Sequence, residues 1–202
     1  LLNTPIVIFD FETTGLSIEN GDRAIEIGAV KLERGVEVSN FSKLMNPGFR
    51  VSSFIEDYTG ISNAMLAQAQ SNAVVMNEFA EFIEGCDLVA HNASFDQRFL
   101  EMELAKINRK FNGDMFCSLL LSRRLIQEAP SHKLGELVRY LDLPMQGCFH
   151  RALDDARVTG HLWQHMLALV SGHLNGQVMD KPLINKLSKL PKAKIYQYLT
   201  SL

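Results

Sequence analysis

Pro5-Ile6-Val7-Ile8-Phe9-Asp10-Phe11-Glu12 is an unbroken apolar run until its end, where two acids interrupt it. A short run of β-branched and aromatic residues without a 3.6-residue period reads as a strand, here over residues 5–11, with both faces covered. Side chains alternate across a strand, so Ile6 and Ile8 share one face and Val7, Phe9 and Phe11 the other. Such a strand belongs in the interior of a sheet that has a layer on either side.

The flanking sequence supplies the rest of that sheet. Residues 24–33 read as a second strand, Arg34-Gly35 as a turn and residues 36–45 as a third strand ended by Asn46-Pro47-Gly48. Helical segments follow near 62–69 and 72–84, the second with Val75, Phe79, Phe82 and Ile83 at helical spacing. Residues 87–91 form a short strand, 94–107 a helix and 114–117 a last strand, before helices near 118–127, 134–141 and 151–170. A hairpin followed by alternating strands and helices predicts an α/β fold: one mixed sheet with helices on both faces. Residues 1–170 make the body. Residues 171–177, with Gly172 and Gly176, read as a linker into a lysine-rich tail ending at 202.

Composition narrows the class. With 202 residues, 47% hydrophobic and 21% charged, the chain suits one well-cored domain rather than disorder. It has no stretch of eighteen uninterrupted apolar residues, which argues against a membrane helix, and its start lacks the basic segment of a secretory signal. Cys86, Cys117 and Cys148 are odd in number and widely spaced, which suits neither a disulfide framework nor a zinc knuckle. Small buried thiols in a reducing, cytoplasmic compartment are expected. The net charge of −3 is unevenly spread: residues 180–202 carry five lysines against Asp180 alone, a net +4, leaving −7 for residues 1–179. An acidic body repels polyanions unless cations screen it, and a basic tail attracts them.

Several acids stand where burial is expected. Asp10 and Glu12 fall on the Ile6–Ile8 face at the end of the buried strand, and two desolvated neighbouring carboxylates need a cation or a shared proton. A solvated strand end before Thr13-Thr14-Gly15 is the plainer alternative. Ser94 and Gln97 have the spacing of a capping box, which places Asp96 in the first turn of its helix. There it either complements the helix dipole or leads the buried stripe of Phe99, Leu100, Leu104 and Ile107. In the helix after His150, Asp155 aligns with Thr159, Leu162, Met166 and Leu169, whereas Asp154 aligns with Arg157, His161 and His165. Asp155 therefore points inward and Asp154 outward, with Arg157 as its surface partner. Glu26 reads as an edge hydrogen-bonding residue, with support of the other acids as the alternative. Four inward carboxylates favour Mg²⁺ or Mn²⁺ over zinc, and two such ions can clamp a phosphoryl transfer. His150 offers an imidazole, a side chain suited to removing a proton from an attacking water.

Three stretches also resemble the motifs of the DEDDh (DnaQ-like) 3′→5′ exonucleases. Phe9-Asp10-Phe11-Glu12-Thr13-Thr14-Gly15 is similar to the first, His91-Asn92-Ala93-Ser94-Phe95-Asp96 to the second, and His150-Arg151-Ala152-Leu153-Asp154-Asp155-Ala156 to the third. They occur in the family's order across residues 5–170. The family includes the DNA polymerase III epsilon proofreading subunit, exonuclease X, ribonuclease T and oligoribonuclease. The resemblance implies a ribonuclease H-like five-stranded mixed sheet with helices on both faces. It also implies two divalent metals on Asp10, Glu12, Asp96 and Asp155, with His150 as general base. The implied reaction hydrolyses single-stranded 3′ ends, DNA favoured over RNA, and releases nucleoside 5′-monophosphates, with a DNA polymerase or repair complex as partner. Thr13, Thr14, Gly15 and Leu16 would hold the terminal nucleotide, with Asn92 and Phe95 as further members of that pocket. No Q-x-x-[LM]-x-F clamp-binding motif is present, and residues 171–202 match no part of the family motifs. In the tail, Leu183, Leu187 and Leu190 recur at helical spacing, which predicts a small helix packed through its leucines or a basic guide for nucleic acid.

Overall fold

The computed structural model describes residues 4–145, 150–175 and 179–202. Cys148 and the 176–178 part of the expected linker lie outside the described residues. Five strands form one sheet in the order β3-β2-β1-β4-β5. β1 (Ile6–Thr13) pairs antiparallel with β2 (Ala24–Glu33), which pairs antiparallel with β3 (Val36–Leu44). On the other side β1 pairs parallel with β4 (Asp87–Ala90), and β4 parallel with β5 (Met115–Cys117). The sheet is mixed, as expected. Arg34 and Gly35 both take positive φ, the conformation of a two-residue hairpin turn that follows the twist of its strands.

Helices cover both faces. Val7, Phe9 and Phe11 pack with Ile27 and Ala29 against α3 (Asn72–Phe82) and α4 (Ala93–Lys106). Ile6 and Ile8 face the other way, with Val30 and Leu32, against α5 (Ser118–Leu125), α6 (Leu134–Tyr140) and α7 (Ala152–Ser171). The alternation read from β1 is thus the partition of the core. A smaller cluster of Ile25, Val51, Ile55, Ile61 and Leu66 seats α1 (Ser53–Thr59) and α2 (Asn63–Gln68). After residue 179, α8 (Lys181–Lys189) and α9 (Ile195–Leu199) bury Leu183, Ile184, Leu187, Ile195 and Leu199 in the same cluster as Trp163 and Met166. Leu190 ends that helix only half-buried. No helix among the described residues is long and apolar enough to cross a membrane.

The structure departs from the sequence reading in four places. α1 was not anticipated: its Ser52 cap accepts the Ile55 N–H and Gly60 closes it in the left-handed region, but its apolar residues do not form one buried stripe. The proposed Ser94–Gln97 capping box does not form, because the chain turns off β4 through Asn92 at φ 71° and the helix starts at Ala93. Asn tolerates that conformation at little cost, so the turn itself sets the helix start. On α7, Thr159, Leu162 and Met166 are buried as the stripe requires, yet Leu169 is 42% exposed near the helix end. Arg157 pairs with Glu37 of β3 rather than with Asp154.

α7 and β2 approach closely at Gly28. A Cβ on Gly28 would lie 2.0 Å from the Leu153 nitrogen and 2.1 Å from the Ala152 carbonyl carbon, both backbone. Only a residue without a side chain lets the start of α7 rest on the strand. Gly28→Ala is expected to destabilise the protein by about 3 kcal/mol or more, since rigid backbone cannot yield as a side chain can. Urea unfolding checks this; a change below about 0.5 kcal/mol would show that the helix start is free to shift.

Candidate active site

β1 outruns its parallel neighbour. Its pairing with β4 ends at Ile8–Val89, leaving the later residues of β1 without a strand on that side. Asp96, in the first turn of α4, takes up the slack: its Oδ1 accepts the Phe11 N–H at 3.2 Å. Asp96 is 2% exposed, so it leads the buried stripe and is not a solvated dipole partner. Asp10 sits half-buried opposite Gly28, and Glu12, 8% exposed, opposite Glu26.

α7 brings the other half of the site. Asp155, 8% exposed, accepts the His150 backbone N–H at 2.9 Å, and His150 takes φ 67° in that tight turn. The turn leaves the imidazole exposed against the Tyr58 ring, with centroids 4.3 Å apart. Ligand atoms of Glu12, His150 and Asp155 lie within 4.8 Å of one another. Glu26 holds this arrangement from below. It is 2% exposed, binds the Arg151 guanidinium at 2.8 Å and accepts the Ala152 N–H at 3.1 Å. It thus supports the site acids and secures the start of α7, rather than serving as the edge hydrogen bond expected of it.

The four carboxylates strain against one another. Burial raises the Asp10 pKa well above its ordinary value, reinforced by the charges of Asp96, Asp155, Glu12 and Glu26. Burial, then Asp155 and Glu26, push Glu12 to about 8, only partly offset by Arg151. Burial takes Asp96 to about 7 against the lowering effect of the Phe11 N–H, and Asp155 to about 6 against that of the His150 N–H. None of the four has a salt-bridge partner among the described residues. Crowded oxygen donors without a countercharge fit hard divalent cations, with His150 as a neighbouring nitrogen donor.

Asp10, Glu12 and Asp155 line a cleft of 730 Å³ together with His150, whereas Asp96, buried on the Phe11 N–H, is not part of that lining. Thr13, Gly15, Leu16 and Phe95 reach it, as does His91. Leu16 stands 77% exposed on the rim, and Phe95 both lines the cleft and packs on Phe99 at 5.0 Å. Thr14 is turned into the loop instead, donating to Asp22 at 2.9 Å, and Asn92 is exposed on its turn, outside the lining. Asp22 lies over Gly15, where a Cβ would meet its carboxylate at 2.4 Å, so this loop needs glycine there. His91 Nε2 lies 2.9 Å from the His132 carbonyl, which can only accept; Nε2 therefore carries the proton and Nδ1 faces the Ser118 hydroxyl. Burial lowers the His91 pKa, which keeps the ring neutral.

Sequence reasoning missed the far wall. Phe54 and Tyr58 of α1 stack on each other with centroids 5.9 Å apart, and Lys133 and Arg139 close the side formed by α6. The paired aromatics at i and i+4 beside Ser52 and Gly60 were a usable signal, since two large rings on one helix face need a partner or a ligand.

Comparisons place the chain among known proteins. Residues 7–162 match the family model described as Exonuclease (RNase_T). The DNA polymerase III PolC-type of Caldanaerobacter subterraneus subsp. tengcongensis is 39% identical over 166 residues, covering 82% of this chain and 12% of that protein. The chain therefore spans only about an eighth of that relative's length. The structure of exonuclease X in complex with 5′ overhanging duplex DNA has a TM-score of 0.69 and 25% identity, covering 93% of this chain and 99% of the other. The nuclease domain of 3′hExo, a DEDDh family member bound to rAMP, has a TM-score of 0.70 at 20% identity, covering 82% of this chain and 92% of the other, a likeness of fold. The chain belongs to the exonuclease family of the DEDDh type. At 93% coverage, the likeness to exonuclease X continues past residue 170, where the sequence motifs had stopped.

The raised carboxylates make a prediction with a definite sign. A carboxylate whose folded pKa lies above its unfolded value binds protons better in the folded state, so stability falls as pH rises through the folded pKa. With Asp155 at about 6, Asp96 at about 7 and Glu12 at about 8, the melting temperature without divalent ions should decline steadily between those values. Added Mn²⁺ should flatten the decline. A metal-free melting temperature that rises over that interval would contradict the shifts.

Proposed function

We propose that the chain removes nucleotides one at a time from the 3′ end of DNA, as a 3′→5′ exonuclease that releases nucleoside 5′-monophosphates. The observation that carries this is the convergence of Asp10, Glu12, Asp155 and His150 on a cleft walled by Leu16, Phe54, Tyr58 and Phe95, with Asp96 buried on the Phe11 N–H and near enough for its charge to act on Asp10. Two Mg²⁺ or Mn²⁺ ions held by the four carboxylates would supply Lewis-acid polarisation and neutralise charge developing on the phosphate. The chain's own groups do the rest. Thr13, Gly15 and Leu16 seat the terminal nucleotide, with Leu16 against its base, and the rings of Phe54, Tyr58 and Phe95 offer stacking faces. A ring nitrogen of His150 accepts the proton of the attacking water as its oxygen bonds to phosphorus. The P–O3′ bond breaks with its electron pair passing to O3′, which takes a proton from solvent and becomes the new 3′-hydroxyl of the shortened strand. Tyr58 packed on the imidazole limits the positions that ring can take.

DNA is favoured because the relatives include PolC-type DNA polymerases and the exonuclease X structure contains duplex DNA. The rAMP in the 3′hExo structure supports an RNA 3′-exonuclease as the second reading. A DNA polymerase or repair complex in the cytoplasm is the fitting partner. Matched 5′-labelled DNA and RNA oligonucleotides with Mn²⁺ or Mg²⁺ should show stepwise shortening from the 3′ end, faster on DNA. Asp10→Ala or Asp155→Ala should abolish it, and His150→Ala should slow it by about 10²–10⁴ with metal binding largely kept. Full activity in EDTA, or an unchanged rate in His150→Ala, would overturn the corresponding part of the mechanism.

A further inference from the structure

α8 and α9 are anchored where the cleft's helical wall ends. Ser118, at the start of α5, lies beside the cleft through its contact with His91. By its last residue, Leu125, α5 has risen about 10 Å, at about 1.5 Å per residue. There Arg124 Nε donates to the Leu190 carbonyl at 3.2 Å, and Gln127 Nε2 to the Lys192 carbonyl at 3.0 Å. These two bonds and the buried leucines fix residues 189–194 against the end of α5. They leave Lys189, Lys192 and Lys194 exposed, none in a salt bridge among the described residues. Arg123, next to the anchoring Arg124, is also exposed, and its charge reaches His91 at the cleft.

We propose that Arg123, Lys189, Lys192 and Lys194 form one cationic track that holds the phosphates of the substrate strand on the 5′ side of the reacting end. This rests on the exonuclease reading and deepens it: the track sets which substrates an otherwise acidic body retains. The chemistry is that of a single-stranded polyphosphate, for three reasons. The groups are exposed on two segments joined at the end of α5, residue 123 of the helix and residues 189–194 of the tail. They are unpaired, unlike Lys181, which is committed to Asp87 and Asp114. The charge of one of them, Arg123, also reaches His91 on the cleft lining. At about 3.4 Å per stacked nucleotide, the rise of α5 from Ser118 to its end equals about three nucleotides, the length of strand needed to meet the lysines. Oligonucleotides too short to leave the cleft should gain nothing from it.

The test is equilibrium binding of 5′-labelled oligothymidylates of ~4 and ~16 nucleotides in EDTA, so that no turnover is needed, over a range of salt. The native protein should bind the longer strand more tightly. In the combined Arg123→Gln, Lys189→Gln, Lys192→Gln and Lys194→Gln variant that advantage should collapse, with Kd for the long strand raised about tenfold or more. The slope of log K against log salt should fall by roughly 2–3, at about 0.7 for each lost phosphate contact. Arg123→Gln alone, on a helix of the body, should lower the slope by roughly 0.7 and keeps the test valid if the combined variant unfolds. Equal binding of both lengths by the native protein, or an unchanged slope in the variants, would overturn the track and assign these lysines to a protein partner. A protein with the track but no nuclease activity would sink the exonuclease reading alone.

Discussion

The start of α7 rests on β2 because residue 28 has no side chain, and every feature of the site depends on that contact. Asp10 lies opposite Gly28 on the neighbouring strand, so the helix that settles there delivers Asp155 and His150 to the acids of β1. Glu26 fixes the arrangement, since its carboxylate takes both the Arg151 guanidinium and the Ala152 N–H. A buried acid used in this way caps the helix and orients the turn that carries His150. Removing the arginine alone would leave the buried Glu26 carboxylate with the Ala152 N–H but no countercharge, which destabilises the start of α7.

The protein distinguishes sharply between its buried acids. Glu26 has Arg151, Glu103 has Arg23 at 2.7 Å with Asn72 at 3.0 Å, and Asp87 has Lys181 at 2.9 Å. Each of these acids joins two elements and carries its own countercharge. Asp10, Glu12, Asp96 and Asp155 gather at the cleft with no salt-bridge partner among the described residues. The fold thus leaves its electrostatic debt in a single place, which is where a divalent cation would bind and where phosphate chemistry needs it.

Much of this was legible in the sequence, for identifiable reasons. The alternation along residues 6–11 fixed both faces of the sheet, because side-chain period in a strand is rigid. Helical phase separated Asp155 from Asp154 for the same reason. What escaped depended on contacts between distant segments. Nothing around Glu26 indicates that Arg151 will meet it across 125 positions of sequence. Nothing near Phe54 and Tyr58 shows that their helix faces His150. Ser94 looked like a cap because local rules favour it, whereas the geometry of the turn off β4 moved the helix start to Ala93. The tail's leucines gave its packing, but only the Arg124 and Gln127 bonds showed which side its lysines occupy.

The central claim is that the four carboxylates, protonated above their ordinary range while alone, are built to surrender those protons to divalent cations. Calorimetric titration of the metal-free protein with Mn²⁺ near pH 7, in buffers of different ionisation enthalpy, counts the protons released. With Glu12 at about 8 and Asp96 at about 7, those two groups alone should release about one and a half protons per protein, Asp10, raised well above its ordinary value, should add to that number, and Asp155→Asn should weaken binding severely. Binding without proton release, or no binding, would contradict the account.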